Sequence, residues 1–230
     1  NLRILPGGFF QTNQPNFADG SKLSFETGGN YNLDGGLLPT GTGNNRPFDV
    51  EIVNSNVSLT VSGRSVRNNL IVGNNGTFNQ GENTLTILND LNVNGDYNQG
   101  NNLLTVEGNL NINGTFEQTT TTANPVLVKG DVNLNNGGTL TLSTTAGGDI
   151  QLEGDWNRFT GSTFNPNDRA VFFVGANNQS INSDFATEQW AYIRFEKAGG
   201  STVTLNTNLE CNSTAEESFA IEQVGGTGTF

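Results

Sequence analysis

Four Asp and Asn residues recur at intervals that suit one shared corner of a repeating fold. Asp90, Asn109, Asp131 and Asp155 each follow an apolar segment and stand directly before the next one. If successive repeats stack, Asp131 and Asp155 become neighbours, and carboxylates about 5 Å apart repel unless a cation or hydrogen-bond donor lies between them. Asp90, Asp131 and Asp155 are therefore candidate Ca²⁺ ligands, and Ca²⁺ is the only cofactor that we consider. The alternative is that each side chain accepts backbone N–H groups at its turn, as Asn109 can.

Two aromatic residues could bind sugars by stacking. Trp190 and Tyr192 are spaced to share one face of a predicted strand, which makes them candidate ligand-binding residues for a carbohydrate. Trp156 offers the same chemistry. However, it occupies the repeat position of Leu91 and Leu110, so we predict that it belongs to the core.

Composition argues against several functional classes. The chain has no His, which removes Ser-His-Asp and Cys-His nucleophilic sites, and it lacks a phosphate-binding glycine loop. Its net charge is −12 and its 10 basic residues are scattered, so we expect no nucleic-acid partner. No apolar run approaches the roughly 20 residues of a membrane-spanning helix. Glycan cleavage would need carboxylates facing each other across a groove. The acidic residues rarely coincide within a repeat, so we predict no catalytic or cofactor-binding residues and no enzymatic activity.

The candidate residues belong to an internal repeat of about 19–25 residues. Successive repeats start 21, 19, 22 and 24 residues apart, at Leu70, Leu91, Leu110, Val132 and Trp156. Each repeat contains three short extended pieces, and apolar and polar residues alternate in the first of them. Looser copies begin at Leu23 and Phe48.

The first two pieces of a repeat are separated by a corner that contains Asn and Gly. These pairs are Asn75 and Gly76, Asn94 and Gly95, Asn113 and Gly114, and Asn136 and Gly137. We expect positive φ at these corners, because Gly and Asn adopt it at little cost.

The repeat predicts an all-β chain folded as a three-sided parallel β-helix. A unit this short cannot bury its own apolar side chains, but stacked units pair each strand with its equivalent about 4.8 Å away. A meander of hairpins is less consistent, because three strands per unit would reverse direction from one copy to the next. Right-handedness follows from the usual preference of parallel crossovers.

The chain divides into three predicted regions. Residues 1–22, which include Pro6 and Phe10, form a candidate N-terminal cap or lead-in, and residues 23–175 form the stacked coils. Residues 176–230 form divergent coils that we expect to continue into further repeats, because no terminating feature is visible.

The segment from Val171 to Leu205 carries a second pattern. It contains Phe173 and Gly175, Gln179 and Ile181, Ile193 and Lys197, and Val203, Thr204 and Leu205. This pattern resembles one that is common in large Bacteroidetes surface proteins, many of them exported by the type IX secretion system. The preceding coils resemble the same proteins' repeats, so the resemblance covers most of residues 48–209. It implies an extracellular or outer membrane-associated protein that engages secretion machinery and is often adhesive.

Fold and resemblance together lead to one functional expectation. We expect a non-catalytic surface β-helix that acts as a rigid stalk or adhesin segment, with surface glycans or other extracellular ligands as partners. The alternative is a carbohydrate-binding or polysaccharide-cleaving parallel β-helix, a suggestion that comes from fold analogy.

Overall fold

The computed structural model describes residues 1–9, 15–40, 46–119, 122–212 and 219–224. Within these residues, every regular secondary-structure element is a β-strand. The strands are numbered β1 to β27 in chain order, and all their pairings are parallel. The predicted all-β class and the three-sided parallel β-helix are thereby confirmed. Phe10 of the candidate cap and residues 225–230 lie outside the described residues.

The first side of the helix is a ten-stranded sheet that contains one strand from each coil. Its strands are β1 Leu2–Ile4, β2 Lys22–Phe25, β4 Asp49–Ile52, β7 Leu70–Val72, β10 Leu91–Val93, β13 Leu110–Ile112, β16 Val132–Leu134, β19 Trp156–Arg158, β22 Gln179–Ser183 and β25 Val203–Leu205. The sheet thus enters the predicted lead-in at residues 1–22 and continues beyond residue 175.

The other two sides are a seven-stranded and an eight-stranded sheet. The second sheet contains β3 Asn30–Leu33, β5 Asn56–Leu59, β8 Thr77–Gly81, β11 Asp96–Gln99, β14 Thr115–Gln118, β17 Thr139–Thr141 and β20 Thr163–Asn165. The third contains β6 Arg64–Val66, β9 Leu85–Ile87, β12 Leu104–Val106, β15 Val126–Val128, β18 Ile150–Leu152, β21 Ala170–Gly175, β24 Tyr192–Ala198 and β27 Phe219–Val224.

The cross-section changes after β20, where the second sheet ends. The following coils instead pair β23 Thr187–Trp190 with β26 Asn208–Cys211 in a separate two-stranded sheet. The first and third sheets continue past this point, so the change affects one side of the helix.

Alternation of apolar and polar residues directs one face of each strand into the core. Leu91 pairs with Leu70 on one side and with Leu110 on the other, and all three are fully buried. Trp156 extends the same column and is also fully buried, as predicted. On the second sheet, the Tyr97 ring stacks on Phe116 with centroids 5.0 Å apart. In-register pairing therefore converts a one-dimensional repeat into continuous interior columns.

A buried row of glutamines lies next to the aromatic column. Gln80, Gln99 and Gln118 are fully or almost fully buried. Gln118 donates to Gln99 Oε1 at 3.1 Å, and the Tyr97 hydroxyl donates to Gln80 Oε1 at 2.9 Å. Burial raises the pKa of Tyr97 well above its usual value. These hydrogen bonds allow amides to be buried inside the helix at a low energetic cost.

The expected positive φ at the Asn-Gly corners is wrong for most of them. Of the four corner glycines, only Gly137 has it, with φ of 82°. The others are needed for close approach: a Cβ on Gly95 would lie 2.2 Å from the carbonyl oxygen of Gly73, and one on Gly114 would lie 2.3 Å from that of Gly95. Glycine is therefore required at these corners because the neighbouring coil packs against them.

Candidate functional site

The Asp and Asn corner residues form one ladder of hydrogen bonds along the helix axis. The Oδ1 atom of Asp90 accepts from the backbone N–H of Asn109, Asn109 from that of Asp131, and Asp131 from that of Asp155, each at 2.8 Å. Asp155 accepts from the N–H of Ser180 at 2.7 Å. The predicted stacking is confirmed, and each acceptor bonds to the next coil rather than to its own turn.

The ladder requires glycine directly before each of its later members. A Cβ on Gly108 would lie 2.5 Å from Asp90 Oδ1, and a Cβ on Gly154 would lie 2.5 Å from Asp131 Oδ1. Each side chain therefore bonds to the coil above through space that only a glycine leaves open.

The ladder places Asp131 and Asp155 next to each other. Among the described residues, no three His, Cys, Asp or Glu side chains are grouped closely enough to hold a metal ion. The backbone N–H groups supply the donors that adjacent carboxylates need. Calcium binding by Asp90, Asp131 and Asp155 stays a prediction.

The structure separates Trp190 from Tyr192, so the predicted shared strand face is wrong. Trp190 ends β23, Tyr192 begins β24, and the chain bends at Ala191 between them. Trp190 is 1% exposed and its ring lies 5.2 Å from that of Trp156, so it is a core residue and cannot stack on a sugar. Tyr192 is half-buried and stands without Trp190 on its face.

A buried ion pair lies beside Trp190 and was not predicted from the sequence. Nη1 of Arg158 lies 3.1 Å from Oε2 of Glu188, and the two side chains are 13% and 0% exposed. Trp190 Nε1 donates to the same carboxylate at 3.0 Å, and Ser183 Oγ donates to its other oxygen. The Arg158 guanidinium also lies 4.1 Å from the centroid of the Phe185 ring. The Glu188 carboxylate thus receives hydrogen bonds from three side chains inside the core.

The sequence does carry a signal for this cluster. Arg158 pairs in register with Leu134 and occupies a column that is apolar in the earlier coils, where Ile112 and Val93 stand. A charged residue at an inward position requires a partner, because an isolated buried charge is costly. The partner, Glu188, comes from the strand at which the cross-section changes.

A row of asparagines covers the outer face of the first sheet beside this cluster. Neighbouring amides are joined by Nδ2 to Oδ1 hydrogen bonds of 2.7–2.9 Å, one per coil, in the order Asn92, Asn111, Asn133, Asn157, Asn182 and Asn206. We call this row the amide column. It ends in a surface crevice of about 170 Å³, lined by Asn157, Arg158, Phe159, Asn182, Ser183, Asp184 and Asn206.

Phe159 at the crevice is unusual for its position. The equivalent residues of the three preceding coils are Asn94, Asn113 and Asn135, as the repeated backbone hydrogen bonds show. Phe159 is 42% exposed. At the equivalent position of the next coil, Asp184 Oδ2 accepts from the backbone N–H of Thr160 at 3.0 Å, which holds the carboxylate in place. The crevice thus combines an exposed aromatic ring, amides and one carboxylate.

A buried lysine occupies another corner of the same coils. Lys197 is 8% exposed, and its Nζ donates to the carbonyl oxygens of Val174 at 3.0 Å and Asn177 at 2.8 Å, and to Gln179 Oε1. Burial lowers its pKa, and Glu153 opposes that shift. Three oxygen acceptors suit an ammonium group that joins the third sheet to the first.

Two further observations concern membrane spans and similarity to known proteins. No helix in the described part of the chain is long and apolar enough to cross a bilayer. The chain matches no protein-family model, no curated protein and no solved structure at a significant level.

Proposed function

We propose that this chain is a non-catalytic segment of an extracellular or cell-surface protein and that it acts as a rigid spacer, as in a stalk or adhesin. The observation that carries the proposal is the unbroken first sheet. Its ten strands extend over about 43 Å at 4.8 Å per coil. Because each coil contacts only its neighbours, length grows with repeat number while the cross-section stays constant.

Two ladders outside the core support rigidity. The amide column and the corner ladder tie each coil to the next by side-chain hydrogen bonds in addition to the backbone pairing. Bending would have to break several of these bonds at once. A spacer that presents a partner at a distance needs this resistance.

The contacts of two carboxylates, those of Glu188 and Asp184, support a non-catalytic role. Glu188 is fully buried and paired with Arg158, and Asp184 is held by Thr160. Among the described residues that line the crevice, Asp184 is the only acidic one, whereas acid–base cleavage of a glycan would require two carboxylates. Release of reducing ends from a polysaccharide by the purified protein would contradict this part of the proposal.

The spacer role is tested by pulling single molecules from both ends. We expect resistance followed by discrete steps as coils detach, because the ladders break coil by coil. Smooth extension at low force would show that the chain cannot act as a spacer.

The location is tested on intact cells of the source organism with an antibody to the folded chain. Surface labelling is expected, and detection only after cell lysis would contradict it.

A further inference from the structure

The amide column presents hydrogen-bonding groups at a regular interval on the outside of the protein. Each ladder bond uses one of the two N–H groups of an Asn side chain and one of the two lone pairs of its neighbour's oxygen. Asn157 and Asn182 are half-buried, so their outer edges face solvent. The column therefore offers both donors and acceptors once per coil, about every 4.8 Å.

The crevice adds an apolar surface to the end of this column. Phe159 is 42% exposed and stands where the three preceding coils have Asn. A single exposed aromatic residue is common on protein surfaces. Here, however, the ring borders a concavity that is otherwise lined mainly by polar side chains.

The walls of the crevice are held in place before any ligand arrives. The Asp184 carboxylate is fixed by the backbone N–H of Thr160. The amides are fixed by their ladder bonds. Preorganised groups lose little conformational freedom on binding, which favours affinity for a ligand of matching shape.

We propose that the amide column and the crevice together bind a linear neutral glycan, with one pyranose ring packed on Phe159 and its hydroxyls bonded to the amides of Asn157 and Asn182. A pyranose has an apolar C–H face and a rim of hydroxyls, which matches an aromatic ring beside amides. Asp184 at the rim and the net charge of −12 disfavour polyanions, including acidic glycans and nucleic acids. This binding role goes beyond the spacer function, and the two can fail separately.

The experiment is calorimetric titration of the intact chain with cellohexaose, xylohexaose, mannohexaose and a hexamer of galacturonic acid. We expect at least one neutral hexamer to bind with a Kd below about 1 mM and the acidic hexamer to bind more weakly. Phe159→Ala should weaken the neutral hexamer by about tenfold or more. Because Phe159 is exposed, the variant should melt at the same temperature as the wild type.

Leu88→Ala is the matched control. Leu88 is 43% exposed and follows a strand of the third sheet, so the variant removes a similar apolar surface away from the crevice. It should leave the affinity unchanged within about twofold. The proposal is overturned if no neutral hexamer binds, if the acidic hexamer binds more tightly, or if Phe159→Ala and Leu88→Ala weaken binding equally.

Discussion

Replacing Glu188 by Ala should destabilise the protein more than any surface change. The variant leaves the Arg158 charge inside the core, where only 13% of its side chain reaches solvent. Breaking a buried ion pair by removing one partner costs about 3–5 kcal/mol. The Trp190 Nε1 donor also loses its partner, which adds about 1–3 kcal/mol. The contact of the Phe185 ring with the guanidinium is present in both proteins and cancels, so we expect a total loss of about 4 kcal/mol or more.

The double variant Arg158→Leu with Glu188→Leu tests whether the loss in the Glu188→Ala variant comes from an unpaired buried charge, because it removes both charges and keeps apolar side chains in their place. Leu at position 158 restores the apolar column that contains Leu134 in the preceding coil. Replacing a whole buried ion pair by apolar residues is often neutral or stabilising. The double variant should therefore be more stable than the Glu188→Ala variant, by about 2 kcal/mol or more.

Urea unfolding followed by tryptophan fluorescence is the appropriate assay. The chain has two Trp residues, Trp156 and Trp190, and their rings pack 5.2 Å apart beside the ion pair, so the signal reports on this region. Glu210→Ala is the control, because Glu210 is an exposed acid on the adjacent β26 and should change stability by no more than about 0.5 kcal/mol.

Two results would refute this reasoning. One is a loss below about 1 kcal/mol for Glu188→Ala, which would mean that water solvates Arg158 in the folded state. The other is a double variant that is less stable than Glu188→Ala, which would mean that the charges themselves hold the coils together.

Three further predictions concern stacking, calcium and pH. Gly114→Ala should lower the free energy of unfolding in urea by about 3 kcal/mol or more, because its Cβ would lie 2.3 Å from a carbonyl oxygen. Gly29→Ala is the control and should cost less than about 0.5 kcal/mol, because its Cβ would have nothing within 4 Å. Equal costs would contradict the stacking argument. Asp131→Asn keeps a side-chain oxygen that can accept from the Asp155 N–H, so without calcium it should melt at the same temperature as the wild type. If calcium raises the melting temperature of the wild type and Asp131→Asn abolishes that rise, the result would support the calcium site. Tyr97 should stay protonated in the folded protein above pH 10, the ordinary pKa of a tyrosine. Because its folded pKa is raised, its contribution to stability is complete below the unfolded value near 10 and is lost at higher pH. Ultraviolet titration of wild type and Tyr97→Phe checks this, and ionisation of Tyr97 near pH 10 in the folded protein would contradict it.

Local pattern was enough to predict the architecture. Alternation places Leu91 and Leu110 inward, and the repeat interval pairs them in register. Because a coil of this length can bury its apolar residues only against copies of itself, periodicity in the chain implies the stacked helix. The corner ladder from Asp90 to Asp155 follows from the same interval.

Packing between coils decided what local pattern could not. Trp190 belongs to the core because the chain bends at Ala191, and Gly95 is needed because a carbonyl of the coil below lies against it. The ion pair of Arg158 and Glu188 joins residues 30 positions apart at the point where one sheet gives way to another. The repeat, the strand faces and the stacked columns could therefore be predicted from the amino-acid pattern, since they depend on the period alone. The contacts made where the repeat is broken became visible in the folded protein, because there the register no longer predicts which side chains are neighbours.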